Sequence, residues 1–106
     1  MIAMNQELMK HYAEEDNRPV LVEYWAPWCV YCRRIAPALN KLSEQYEGSV
    51  VVGQVNIDEE PLLAGREQIE VIPTLVLYRG GKALGSVVAP ESKARIEAFV
   101  QETLGE

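Results

Sequence analysis

Apolar positions recur along this chain in two rhythms, one helical and one close to continuous. From about Asn5 to Glu15, Met4, Leu8 and Tyr12 stand at helical spacing, and Asp16-Asn17-Arg18-Pro19 follows with stop and turn chemistry. Val20-Leu21-Val22-Glu23-Tyr24-Trp25 is apolar at every place but Glu23, as expected of a strand covered on both faces. The segment Cys29 to Tyr46 returns to helical spacing, with Ile35, Leu39, Leu42 and Tyr46 on one face and Gly48 as the stop. Pro37 falls inside it, cannot donate to the carbonyl four residues back, and is expected to kink the helix. Val50 to Ile57 is a second buried strand, after which Asp58-Glu59-Glu60-Pro61 opens a short helix reaching about Glu67. Thr74 to Tyr78 and Ala83 to Val88 flank Arg79-Gly80-Gly81-Lys82, whose glycines suit a tight hairpin turn. Pro90-Glu91-Ser92 opens a last helix with Ile96, Phe99, Val100 and Leu104 as its buried stripe before Gly105.

The predicted order is α-β-α-β-α-β-β-α. A strand-helix-strand crossover implies parallel pairing, and a hairpin implies antiparallel pairing, so the expected class is α/β: a small central mixed sheet of about four strands with helices on both faces. No repeat, low-complexity tract or linker interrupts the 106 residues, which is the length of one domain, so residues 1–106 are read as one unit.

Charge narrows the partners. Sixteen acidic against ten basic side chains give a net charge of -6, which repels phosphate-rich polymers and argues against nucleic acid. No run approaches the roughly 20 apolar residues needed to cross a bilayer, and Met1-Ile2-Ala3-Met4-Asn5-Gln6-Glu7 lacks the basic-then-apolar order of a secretory signal. A cytoplasmic monomer with no membrane role is the expectation.

The candidate chemistry lies in Cys29-Val30-Tyr31-Cys32. Three residues of separation on a helix bring two side chains to neighbouring positions of one face, close enough for a reversible disulfide. Cys29, expected in the first turn at the carboxyl end of the first strand, meets unpaired amides and the positive end of the helix dipole, both of which favour a thiolate. Cys32, a turn deeper, should be less exposed and less ionised. That asymmetry makes Cys29 the attacking sulfur and Cys32 the one that resolves the mixed disulfide. Lowering a thiol from about 8.5 to about 7 raises the thiolate fraction at neutral pH roughly 15-fold. Reduced nucleophilicity takes back roughly 5-fold, so the environment tunes the leaving group and the redox equilibrium more than speed. Arg33 and Arg34 add positive potential nearby. Trp28 offers an apolar contact surface beside the pair; Trp25 reads as core and His11 as a surface helix residue.

The same two cysteines are also half of a zinc site. Four ligands are needed, and beyond them the chain offers only His11, so no metal site closes within one chain, and metal would require two copies sharing their pairs. A purely structural disulfide would close too short a loop to remove much unfolded-state entropy.

Trp25-Ala26-Pro27-Trp28-Cys29-Val30-Tyr31-Cys32, Pro37, Val55-Asn56-Ile57-Asp58, Val71-Ile72-Pro73-Thr74 and Tyr78-Arg79-Gly80-Gly81 together resemble the thioredoxin family, over about Val20 to Leu104; a CxxC beside a βαβ pattern is the standard cue for that fold. The resemblance implies a thioredoxin fold and a thiol:disulfide oxidoreductase without a bound cofactor, acting on protein disulfides and recharged by a thioredoxin reductase. It implies a cis Ile72-Pro73 peptide beside the cysteines, with the backbone of Ile72 pairing with a substrate strand, so Trp28, Val30, Tyr31, Ile72 and Pro73 become the expected substrate surface. It also aligns Glu23 with a buried acid that relays a proton for the second cysteine. A carboxylate amid Val20 to Trp25 should be desolvated with a raised pKa, which suits that role; the alternative is an edge-strand residue facing water.

Several positions depart from the family pattern. Val30-Tyr31 replaces the usual Gly-Pro, with Tyr31 similar to the tyrosine of glutaredoxins, and the loss of that proline favours a more oxidising pair. Glu23 stands for the usual Asp, Gln54 stands where lysine is common, and the glycine expected near Val88-Ala89 is absent. The family's first strand is shortened to almost nothing. A more oxidising oxidase or isomerase, and a redox-inert binding module on the same fold, therefore stay open as alternatives.

Overall fold

The computed structural model describes residues 1–105. It begins with a strand that the apolar pattern does not show. β1 is only Ile2–Ala3, paired in parallel with the strand carrying Gly53 and Gln54, and Met4 extends the pairing by donating its N–H to the Gln54 carbonyl at 2.8 Å. Two residues are too few to show alternation, which is why the sheet has five strands where about four were expected. Gly53 permits the close approach: a Cβ there would meet Met4 Cε at 2.6 Å and the Ile2 carbonyl oxygen at 3.2 Å.

The first predicted helix also differs. Asn5 caps it by accepting the Leu8 N–H at 2.9 Å, but only Gln6–Met9 (α1) is α-helical, and Lys10–Glu15 continues as a π-helical turn. It closes with Asp16 N–H on the His11 carbonyl, five residues back. The wider turn has no sequence signature distinct from α, since both place Leu8 and Tyr12 against the core.

The remaining elements follow the pattern within a residue or two: β2 Val20–Trp25, α2 Val30–Gln45, β3 Val51–Asn56, α3 Pro61–Arg66, β4 Thr74–Arg79, β5 Lys82–Val88 and α4 Lys93–Leu104. Strand order is β1-β3-β2-β4-β5. β2 pairs in parallel with β3 and antiparallel with β4, and β4 is antiparallel to β5 through the Gly80-Gly81 turn, where φ is 58° and 80°. β2 is thus the central strand, and alternation along it divides the core. Val20, Val22 and Tyr24 join Ala13, Leu63 and Tyr78 on the face of α1 and α3; Leu21 joins Ile35, Leu39, Leu42, Leu77 and Phe99 on the face of α2 and α4. Ser92 caps α4 by accepting the Arg95 N–H at 3.1 Å, and Gly105 ends it at φ 76°.

Candidate active site

The site grows from the carboxyl end of β2. Ala26-Pro27-Trp28 turns the chain, with the Cys29 N–H on the Ala26 carbonyl at 3.1 Å, and α2 begins at Val30. Cys29 is therefore the cap of α2 and not a residue of its first turn: its backbone is extended (φ -84°, ψ 108°), and its Sγ accepts the Cys32 N–H at 3.2 Å. The correction strengthens the electrostatic argument, because a capping sulfur receives one of the helix's orphan amides directly. Cys29 and Cys32 are joined in a disulfide, their Cα atoms 5.3 Å apart. Both cysteines are buried, Cys29 at 8% exposed and Cys32 at 2%, which makes Cys29 the less buried residue of the two.

Around the pair the expected surface is assembled by specific contacts. Trp28 is 63% exposed, and its ring is held by Nε1–H donating to Asp58 Oδ2 at 3.0 Å, while the Asp58 N–H is taken by Asn56 Oδ1. Val30 is exposed. The Tyr31 hydroxyl donates to the Pro90 carbonyl at 3.0 Å, and one residue earlier the Ala89 N–H donates to the Pro73 carbonyl at 2.8 Å. These two bonds tie the first turn of α2 to the exit of β5 and to the start of β4. Ile72-Pro73 is cis, with Pro73 buried and Ile72 half-buried, and Thr74, the next residue, pairs with Tyr24 at the carboxyl end of β2. Arg33 and Arg34 are exposed, and Arg33 Nη1 donates to the Pro27 carbonyl at 3.4 Å. Trp25 is half-buried; His11 is on the surface, 3.6 Å from Glu15.

Glu23 is 1% exposed, so the reading as an edge-strand residue facing water is wrong: β2 has neighbours on both sides and helices on both faces. Alternation places it on the α2 and α4 face, two residues after Leu21. Oε1 accepts Gln54 Nε2–H at 3.0 Å, and Oε2 is the one buried side-chain oxygen or nitrogen without a partner among the described residues. Burial pushes the carboxyl up to about 7, against the hydrogen bond from Gln54, which pulls it down.

The family model described as Thioredoxin matches residues 1–102. The chain belongs to the thioredoxin family. It is 41% identical over 90 residues to thioredoxin 1 of Nostoc sp., covering 85% of this chain and 84% of that one, and 42% identical over 90 residues to the thioredoxin of Synechocystis sp. with the same coverage. A chloroplastic M-type thioredoxin of Chlamydomonas reinhardtii is 35% identical over 102 residues, 96% of this chain and 73% of that one. Family membership together with the bonded Cys29–Cys32 pair makes this thioredoxin-family chain a thiol:disulfide oxidoreductase.

The sequence marks Gln54 only as a departure from the family's common lysine and Asp58 only within a family motif, without a role for either in the site, and it does not mark the Pro90 carbonyl for the site. Gln54 had a detectable signal, a long polar side chain in the otherwise apolar run Val50 to Val55. Asp58 reads as a helix-start acid, and a backbone carbonyl such as that of Pro90 has no side-chain signature at all.

Proposed function

We propose that the protein reduces disulfides in other proteins through Cys29 and Cys32, working as a monomeric single domain. The Cys29 thiolate attacks one sulfur of the substrate disulfide, forming a mixed disulfide and releasing the first substrate thiolate. Glu23 takes the proton of Cys32, whose thiolate then attacks Cys29 Sγ, closes the Cys29–Cys32 bond and expels the second substrate thiolate. Two electrons have passed from the dithiol to the substrate, and a thioredoxin reductase returns them. Trp28, Val30, Tyr31, Ile72 and Pro73 form the surface on which the substrate chain lies, with the backbone of Ile72 pairing with it.

The observation that carries this reading is the disulfide closed at the N-terminus of α2, with Cys29 the less buried of its two residues. Its test is insulin reduction with purified protein: Cys29→Ser is expected to reduce turnover to the level of the chemical reductant alone, and Cys32→Ser to trap a mixed disulfide. No turnover by the purified wild-type protein would overturn the reading in favour of a redox-inert binding module, and full activity of Cys29→Ser would remove Cys29 from the chemistry. The Val30-Tyr31 dipeptide, lacking proline, favours the more oxidising alternative, so the direction of flux is read from the reduction potential in a glutathione or dithiothreitol buffer. A value well above the cytosolic pool makes the protein an oxidase or isomerase. We place it in the cytoplasm, where reduced thiols are abundant; one relative is named as chloroplastic, and fractionation distinguishes the two compartments. Nucleic acid and membranes have no part in this reading.

A further inference from the structure

The two residues between the cysteines face opposite ways. Val30 is 54% exposed, whereas Tyr31 is half-buried, its ring packed against the core cluster shared by α2 and α4. The Tyr31 hydroxyl reaches the loop between β5 and α4, where it donates to the carbonyl of the buried Pro90 at 3.0 Å. Among the described residues it is the one hydrogen bond that joins the first turn of α2 to that loop. The loop is itself fastened to the start of β4: Ala89 N–H donates to the Pro73 carbonyl at 2.8 Å, and Val88 pairs with Thr74. Tyr31, Pro90, Ala89 and Pro73 thus form a single line of contacts from the first turn of α2 to the residue after Ile72.

We infer that Tyr31 is a positioning residue for the attack on extended substrates: its hydroxyl fixes Cys29, at the head of α2, relative to the Ile72 backbone on which the substrate chain lies. The inference rests on the reading of Ile72 as the pairing partner of the substrate. Disulfide exchange is fast when the attacking sulfur meets the bond it breaks at close range and in alignment, and a misplacement of about 1 Å can slow such a step about 100-fold. A chain paired with Ile72 carries its sulfur to a position set by the segment before β4, while the position of Cys29 is set by α2. These are separate elements, and a bond between them holds their relative placement. A small disulfide that meets Cys29 alone does not need that register. The proline usual in the family between the cysteines has no side-chain donor, so the tyrosine makes a contact that proline cannot. Tyr31 therefore serves the substrate surface from beneath, through the loop it holds.

The test uses the full reduced chain and Tyr31→Phe, which keeps the ring in the core and removes only the hydroxyl. Two disulfides that release the same coloured thiolate are compared: dithiobis(nitrobenzoate), and an extended cysteine peptide joined by a disulfide to one thionitrobenzoate. In each, the Cys29 thiolate bonds to one sulfur, and thionitrobenzoate leaves with the electron pair of the broken bond. The ratio of second-order rate constants, peptide over small reagent, is expected to fall about 5-fold in Tyr31→Phe, the equivalent of one neutral hydrogen bond. The Ala89 amide, next along the line of contacts, is expected to exchange its hydrogen with solvent faster in the same variant. An unchanged ratio, or a lower ratio with no change at Ala89, would overturn the positioning role. A copy of the peptide N-methylated at the amides flanking its cysteine separates this inference from the reading beneath it. It is expected to react more slowly than its parent with the wild type, and to lose less on Tyr31→Phe, because the pairing that the tyrosine serves is already gone. Equal wild-type rates for the two peptides would remove the pairing at Ile72 and this inference with it. A slower methylated peptide together with an unchanged ratio in Tyr31→Phe would remove Tyr31 alone.

Discussion

Glu23 and Tyr24 are consecutive residues of one strand, both 1% exposed, and they bury polar groups on opposite faces of the same sheet in opposite ways. On the α1 and α3 face, Tyr24 and Tyr78 place their hydroxyls 2.5 Å apart, and Tyr78 donates onward to Glu67. Tyr78 has one proton to give, so Tyr24 must donate to Tyr78, and the chain of donors ends on a carboxylate with each hydroxyl served. On the other face, Glu23 has one oxygen served and one open. The same physical cause acts on both. Burial pushes the Tyr24 phenol up to about 12 and Tyr78 further, away from neutrality, but it pushes the Glu23 carboxyl up to about 7, onto neutrality. Burying a polar group is not by itself a sign of function; an acid left with an open oxygen and a titration near the working pH is.

The largest effect that separates the two faces is a pH dependence of stability confined to Glu23. Its folded value of about 7 stands above an ordinary 4.5, so the fold favours the protonated acid. The stability this contributes is complete below about pH 4.5 and is lost as pH rises to about 7, a loss of about 3 kcal/mol at 1.36 kcal/mol per unit. Denaturant unfolding of the oxidised protein checks it: Glu23→Gln is expected to gain about 3 kcal/mol on the wild type between pH 4.5 and pH 8. A difference that stays flat with pH would show that Glu23 is not a buried, raised acid. The same substitution is expected to slow release of reduced product about 100-fold while sparing the first attack, as loss of a general base for Cys32 alone requires. A variant that becomes more stable and less active marks a residue retained at a cost in stability.

The tyrosine chain should behave in the reverse way. Tyr78→Phe removes its middle link, stranding the buried Tyr24 hydroxyl and depriving Glu67 of a donor, for a loss of about 2 kcal/mol. Tyr24→Phe removes only the terminal donor and is expected to cost about 1 kcal/mol. The double variant leaves no stranded hydroxyl, so its cost should fall below the sum of the two, with insulin reduction unchanged throughout. Equal losses from the two single variants, or a fall in turnover, would break the contrast between the faces.

Much of this was legible in the sequence because the signals were long or chemically unambiguous. Sixteen helical residues of α2, the continuous apolar run of β2 and the two-cysteine spacing each repeat their message over several positions. What was not legible depends on tertiary pairing. β1 is defined by its parallel partner and not by its own two residues, and the π turn at Lys10–Glu15 shares the apolar spacing of an α-helix. Gln54 meets Glu23 only because parallel register sets the two opposite each other, whereas the burial of Glu23 itself was legible from the apolar run around it. The Tyr24–Tyr78–Glu67 chain was invisible for the same reason: Tyr24 and Tyr78 lie 54 positions apart, brought together by antiparallel pairing of β2 with β4.

The smallest predicted effect concerns the backbone at the redox end. Ala89 has φ 45°, in the left-handed region, while its N–H holds the Pro73 carbonyl. A Cβ in that conformation costs about 1–2 kcal/mol, and glycine would avoid the cost while keeping the N–H. Glycine also widens the unfolded ensemble by about 0.4–1 kcal/mol, so Ala89→Gly is expected to stabilise the protein by a net of about 0.5 kcal/mol. Ala89 is exposed, so the lost methyl removes no buried packing. In a chain of this size that gain corresponds to a rise in Tm of about 2–4 °C, which calorimetry resolves. A fall in Tm would mean that the alanine fits its backbone without strain. A rise equal at every pH, carried unchanged into Glu23→Gln, would establish that the backbone strain at the rim of the site and the charge cost beneath it are independent of one another.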